Sequence, residues 1–238
     1  MFGLARLGYS TAMGRRRIRR IHVVVPAYNE AAVLPNCLHS IRCAAAAVDV
    51  PVTIGLVLDG CTDSSDASSA LADAVVLVDA RNVGVARAAG FAAVEQLDAA
   101  WLVTTDADCV VDTTWLQRHL AHARSGADAV CGTVEVGDWS GFDHGVRARY
   151  EAHYDSRDGH RHVHGANLGF TSDAYSSVGG FHALALGEDV DLVTRLDRAG
   201  YDVRRVGDVP VRTSSRLDSR VRGGFGDYLR DLAEQGQQ

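Results

Sequence analysis

Two carboxylates one residue apart, Asp106 and Asp108, close the apolar, β-branched run Trp101-Leu102-Val103-Thr104-Thr105. A buried strand that ends in acids presents oxygen ligands at the edge of a sheet. In an open α/β sheet the carboxyl edge is where ligands bind. Asp106 and Asp108 share side-chain parity along an extended chain, so both can face one cation. The chemistry this spacing suits is a divalent-metal site holding a phosphorylated substrate. The same residues also suit a plain strand-end turn, where Asp is common for its own hydrogen-bonding reasons.

Other candidates lie downstream. Glu188 and Asp189 open a helical pattern, where they serve either as a base or as N-terminal charge favoured by the helix dipole. His160, His162 and His164 form a dense polar stretch. His162 and His164 share strand parity, so His164 is a candidate third metal ligand or phosphate contact, or part of a solvated loop. Asn167 is a candidate for the acceptor pocket. Arg212, Arg216, Arg220 and Arg222, with Gly223-Gly224, read as a lid over a diphosphate or as a solvated surface.

The elements that position these groups follow from hydrophobic periodicity. Ile21-His22-Val23-Val24-Val25 is a short continuous apolar run, the mark of a strand covered on both faces, and Pro26 is expected to stop it. Asn29 is expected to cap a helix from Glu30 to about Val48, with Pro35 in its first turn. Val52–Leu58 is a second strand, ending at the turn cluster Asp59-Gly60-Cys61-Thr62-Asp63. Ala74–Val78 is a third. Arg81-Asn82-Val83-Gly84 is a loop before an Ala-rich helix over Val85–Leu97. A helix from about Asp112 to Arg124 and a strand over Ala129–Val136 follow. Strands joined by helical crossovers run parallel, which predicts an α/β, Rossmann-like, mostly parallel sheet with helices on both faces. Asp59 and Asp106 both follow strands, so such a sheet brings them to one edge.

The second half predicts helices over Gly141–Asp155 and from Gly187 past Leu196. It predicts strands over Leu168–Phe170, Tyr201–Val206 and Val209–Thr213. No repeat or linker divides the chain. The expected layout is a basic, disordered N-terminal arm over 1–20, a nucleotide half over 21–136, an acceptor half of the same domain over 137–222, and a tail over 223–238.

Composition narrows the chemistry. The chain has 238 residues, 47% apolar and 23% charged, enough for one sizeable core. A net charge of −6 argues against nucleic-acid binding. All the cations are Arg, which excludes a Schiff-base or P-loop lysine and leaves phosphate recognition to Arg, a metal or backbone N–H groups. The five scattered cysteines form no C-x-x-C pair and suggest free thiols in the cytoplasm. No apolar run approaches the roughly 18 residues of a spanning helix. The arginines at 15–17, 19 and 20 make the N-terminal arm either a disordered tail or a peripheral contact with the inner face of an anionic membrane.

Taken in series, these motifs resemble glycosyltransferase family 2, with the GT-A fold. The carriers are Val23-Val24-Val25-Pro26-Ala27-Tyr28-Asn29-Glu30, Asp59-Gly60-Cys61-Thr62-Asp63, and Asn82-Val83-Gly84 with Ala86-Arg87. Asp106-Ala107-Asp108, Gly165-Ala166-Asn167 and Gly187-Glu188-Asp189 complete the set. The resemblance implies an inverting, metal-assisted transfer of one sugar from a nucleoside diphosphate sugar (UDP-, GDP- or dTDP-linked) to a sugar or lipid-linked acceptor. It implies that Pro26, Ala27, Tyr28, Glu30 and Asp59 hold the nucleoside. Arg81 and Arg87 fall near the base and diphosphate, Asp106 near the ribose and metal, and Asp108 on the metal, Mg²⁺ or Mn²⁺. Asp189 falls on the catalytic base, with Glu188 beside it. Leu58 departs from the family, standing where many members carry a further Asp. The Gln-x-x-Arg-Trp motif and membrane helices of processive synthases are absent, which points away from polymer extrusion. Two other readings stay open: a non-catalytic nucleotide-sugar binder, and a sugar-1-phosphate nucleotidyltransferase, whose Gly-rich loop and lysine are missing here.

Overall fold

The computed structural model describes residues 16–95, 97–142 and 144–214, with 230 and 233. Eight strands form one sheet: β1 (Arg20–Ala27), β2 (Val52–Asp59), β3 (Ala74–Val78), β4 (Ala100–Thr104), β5 (Cys109–Val111), β6 (Ala129–Val136), β7 (Leu168–Thr171) and β8 (Val203–Thr213). Their order is β3-β2-β1-β4-β7-β6-β8-β5. The first four pair in parallel, so their carboxyl ends share one edge. Strand order reverses between β1 and β4, which makes a ligand crevice at their carboxyl ends.

Helices cover both faces, as the alternating pattern predicts. On one face α1 (Leu34–Ala45) and α3 (Trp115–Arg124) pack on Ile21, Val23, Val25, Trp101 and Val103. On the other, α2 (Val83–Ala92), α5 (Ser172–Ser177) and α6 (Glu188–Ala199) cover Val24, Val57, Leu102 and Phe170. Alternate residues of β1 thus feed two cores, the reason its sequence is apolar without a break. A further helix, α4 (His144–His153), carries Val146 and Tyr150 into a small third cluster.

The second half departs from a purely parallel sheet. β7 pairs antiparallel with β4, with Leu168 opposite Thr104, and antiparallel with β6 on its other side. That direction sets the start of β7, and the turn Gly165–Asn167 before it, beside the end of β4. β5 pairs antiparallel with β8, with Cys109 opposite Thr213. The end of β8 therefore lies next to Asp108.

Several expectations need correction. β1 runs through Pro26 to Ala27. Its pairing with β4 ends at Val24, so the donor that Pro26 lacks is missing where β1 has only one neighbour. Asn29 does not cap a helix. It sits at φ 55°, and its Oδ1 accepts from Thr62 N at 2.7 Å and Asp63 N at 3.2 Å. α1 starts five residues later, at Leu34. The two strands expected over 201–213 are one, β8, with an irregular register opposite Cys131–Thr133. Residues 16–20, expected within the disordered arm, are placed against the domain, and residues 1–15 lie outside the described residues. Arg16 N donates to Arg124 O at 3.0 Å, and its Nη2 meets Asp128 at 2.7 Å. Among the described residues no helix is long and apolar enough to cross a membrane. Arg216, Arg220, Arg222, Gly223 and Gly224 lie outside the described residues.

Candidate active site

The carboxyl edge of β1–β4 carries three tied loops. Residues 27–31 follow β1, residues 59–65 follow β2, and residues 79–82 follow β3. The first two are laced together: Glu30 N donates to Ser65 Oγ at 2.8 Å, Ala31 N to Asp63 Oδ2 at 3.0 Å, and Cys61 Sγ lies 3.3 Å from Ala27 O. Tyr28 is exposed at this rim, and Glu30 turns inward.

Asp59, expected on the nucleoside, is buried and holds the third loop. Its Oδ1 accepts from Ala80 N at 2.7 Å and Arg81 N at 2.8 Å, and its Oδ2 from Asn82 N at 2.8 Å. Three backbone donors on one carboxylate fold the third loop. The loop holds Arg81 at φ 47° and sets Asn82 to cap α2 through Val85 N at 3.0 Å. Arg81 is exposed and lies against Gly60, the position of a Cβ there being 3.6 Å from Arg81 Cγ.

At the centre stands Arg87, from the inner face of α2. Its side chain is 3% exposed, and both of its Nη atoms are engaged by carboxylates. Nη2 lies 2.6 Å from Asp106 Oδ1, Nη1 pairs with Glu188 Oε1, and the Phe181 ring lies 5.6 Å away. Buried ion pairs of this kind endure because losing one partner strands a charge. Gly165 passes so close that a Cβ would sit 2.5 Å from Arg87 Cζ, Nη1 and Nη2. Gly84 is equally constrained: a Cβ there would meet His182 O at 2.3 Å, so glycine lets the segment before α6 close on α2.

Glu188 and Asp189 are adjacent but unlike. Glu188 is buried against Arg87. Asp189 is half-buried, its Oδ2 accepting from Gly165 N at 2.6 Å and its Oδ1 from Val190 N at 2.7 Å. Asp106 is 40% exposed along its side chain and lies against Arg87. Its carboxyl is pushed up to about 6, first by burial and then by Asp108 and Glu188, against the pull of Arg87.

Asp108 meets hydroxyls that the sequence did not single out. Ser214 Oγ is 2.7 Å from its Oδ2, and Thr213 Oγ1 is 3.5 Å from its Oδ1. Their only sequence signal is a hydroxyl run at a strand end. Around Asp108 the donors are oxygens, the hard ligands that Mg²⁺ and Mn²⁺ take. Asp106, Asp108, Glu188 and Asp189 against one guanidinium leave an excess of negative charge, as a site for a divalent cation requires. Asp106 and Asp108 are oxygen donors of the type the expected metal takes.

His164 does not join it. Its Nε2 lies 3.0 Å from Tyr154 Oη, within a stack in which Tyr154 and His162 are 4.2 Å apart. Burial, then His162, hold its imidazole down to about 4, so the ring is neutral at pH 7. Among the described residues no three His, Cys, Asp or Glu side chains gather as a metal set. Asn167 is not open to an acceptor either. It is 0% exposed, its Oδ1 accepts from Trp115 Nε1 at 3.1 Å, and its Nδ2 donates to Thr133 O at 2.8 Å and Val209 O at 2.6 Å. It joins β7 to β6 and β8.

The sequence model of glycosyl transferase family 2 matches residues 22–178, more than half of the chain and all four parallel strands that build this edge. The chain belongs to glycosyl transferase family 2. No curated protein sequence matches it. Among solved structures, TarS 1-349 of S. aureus in complex with UDP-GlcNAc is 14% identical, with a TM-score of 0.64 over 87% of this chain and 61% of that one. The mannosyltransferase PcManGT of Pyrobaculum calidifontis, in complex with GDP-Man and Mn²⁺, is 19% identical, with a TM-score of 0.64 over 90% of this chain and 62% of that one. The family 2 chain therefore shares their glycosyltransferase fold and spans under two thirds of their length.

Proposed function

We propose that this chain is an inverting glycosyltransferase that moves one sugar from a nucleoside diphosphate sugar to an acceptor hydroxyl, sugar or lipid-linked. One observation carries the reading. A half-buried carboxylate from the second half of the chain, Asp189, is held by two backbone donors, one of them Gly165, whose backbone lies against the Arg87 guanidinium that pairs with the strand-end acid Asp106.

Each oxygen of Asp189 accepts one backbone bond and keeps a lone pair. That lone pair takes the proton of the acceptor hydroxyl as its oxygen attacks the anomeric carbon. The new C–O bond forms as the bond to the phosphate oxygen breaks, and the electron pair leaves with the diphosphate. Glu188, pinned by Arg87, is not free to act as a nucleophile, so one displacement inverts the anomeric centre. The loops at 27–31 and 79–82 wall the nucleoside, with Tyr28 and Arg81 exposed toward it. Asp108, with Asp106, would hold the divalent metal. When bound, the metal neutralises charge on the leaving diphosphate. The S. aureus and P. calidifontis proteins hold UDP- and GDP-linked sugars on the same fold, which supports the donor class.

The test is a thermal-shift screen of UDP, GDP and dTDP with and without Mn²⁺. A ligand that binds only the folded chain raises the melting midpoint by mass action. One diphosphate should do so strongly, and more with Mn²⁺; no shift with any of them would contradict the proposal.

A further inference from the structure

We propose that Arg87 is a positioning residue that couples the donor side of the site to the base, and that it does not touch the diphosphate. The inference rests on the glycosyltransferase reading. Arg87 is the side chain on which three separately encoded segments converge: Asp106 after β4, Gly165 before β7, and Glu188 at the start of α6. Its own helix is held to the donor side through Asn82 and Asp59.

The geometry leaves no room for a diphosphate at the guanidinium. One Nη faces Asp106, the other faces Glu188, Gly165 lies over the fork, and the Phe181 ring lies alongside. A planar fork with fixed donor directions suits two carboxylates at a set angle, and a lysine cannot reproduce that. Successive residues on a helix turn by about 100°. Holding the Glu188 carboxylate therefore fixes the rotation of the first turn of α6 and hence the aim of Asp189. The Gly165 backbone pressed against the fork is the same residue whose N–H holds Asp189 Oδ2. Arg87 thus reaches the base by two routes, one through Glu188 and one through Gly165, while its other Nη holds Asp106. A donor that engages Asp106 meets a carboxylate already registered to the base.

Three variants test this: Arg87→Lys, Glu188→Gln and Gly165→Ala, whose new Cβ would displace the fork. The readouts are Mn²⁺-dependent binding of the preferred nucleoside diphosphate by calorimetry, and kcat and KM for donor turnover. The coupling predicts that kcat falls 10- to 100-fold in each, while diphosphate Kd and donor KM stay within threefold. Arg87→Lys with Glu188→Gln together should fall no further than the worse single change. A Kd raised tenfold or more by Arg87→Lys with kcat retained would make Arg87 a diphosphate contact and overturn the proposal. Wild-type turnover in all three would also overturn it. Should Arg87→Lys not fold, the other two decide. Should the wild type turn over no donor, the functional reading fails. Amide exchange then decides the coupling: Gly165 N–H protection lost in Arg87→Lys supports it, and unchanged protection refutes it.

Discussion

Asp59 Oδ2 accepts the backbone N–H of Asn82 at 2.8 Å, and Asn82 Oδ1 in turn caps α2. The acid after β2 therefore acts on the site at second hand. It shapes the loop carrying Arg81 and anchors the helix carrying Arg87. With its Oδ1 also holding Ala80 and Arg81, an amide in its place would turn a donor toward a backbone N–H. Asp59→Asn should destabilise the fold by about 1–3 kcal/mol, lowering the melting midpoint by roughly 2–4 °C for each of these. Urea denaturation measures it; an unchanged midpoint would mean that the loop stands without its carboxylate.

His119 gives stability a pH dependence. The ring is fully buried between Trp101 and Trp115. Burial holds it down to about 3, with Asn167 pulling weakly the other way. Below its ordinary value near 6.5 the unfolded chain binds a proton that the folded chain refuses until about 3. The stability from the neutral ring is thus whole above 6.5 and is lost as the pH falls toward 3. Its slope reaches about 1.4 kcal/mol per pH unit. His164, held down to about 4, adds a loss of the same sign. His119→Leu should flatten the pH–stability curve between 6 and 4; a curve as steep as the wild type's would contradict this.

Metal binding should depend on Asp108 and, through it, on Ser214. Asp108→Asn should abolish the Mn²⁺-dependent part of nucleoside diphosphate binding, as chelation by EDTA does. Ser214→Ala, which frees the carboxylate from its 2.7 Å partner, should weaken Mn²⁺ affinity about tenfold. Electron paramagnetic resonance of bound Mn²⁺ reads both; wild-type affinity in Asp108→Asn would remove the residue from the metal's shell.

Much of this architecture is legible in the sequence. The strands over Ala74–Val78 and Ala129–Val136 have the bounds that their apolar runs predict. The parallel start of the sheet follows from alternation alone, and it brings Asp59 and Asp106 to one edge. What local pattern cannot show is direction and partnership. Nothing in Leu168–Thr171 says that it runs antiparallel, because direction is set by its neighbours. Asn29 carries a cap's side chain, yet it accepts from residues 62 and 63, a long-range use of the same oxygen. The motif marks Arg87 in its Ala-rich helix but not its ion pairs, because its carboxylates are 19 and 101 residues away. Asn167 is polar in sequence and fully buried in fact, satisfied by three partners from other elements.

The central claim, that Asp189 takes the acceptor proton in a single inverting displacement, is tested most directly by turnover of a UDP-, GDP- and dTDP-sugar panel. Nucleoside diphosphate release and the anomer of the product are followed together by NMR. In Asp189→Asn the amide oxygen can still accept from Gly165 N while Nδ2 turns toward Val190 N and loses that one bond. The fold and donor binding should therefore persist at some cost in stability while kcat falls on the order of 10²–10⁴-fold. The wild-type product should carry the opposite anomeric configuration to its donor. Undiminished turnover in Asp189→Asn, or retention of configuration, would contradict the account.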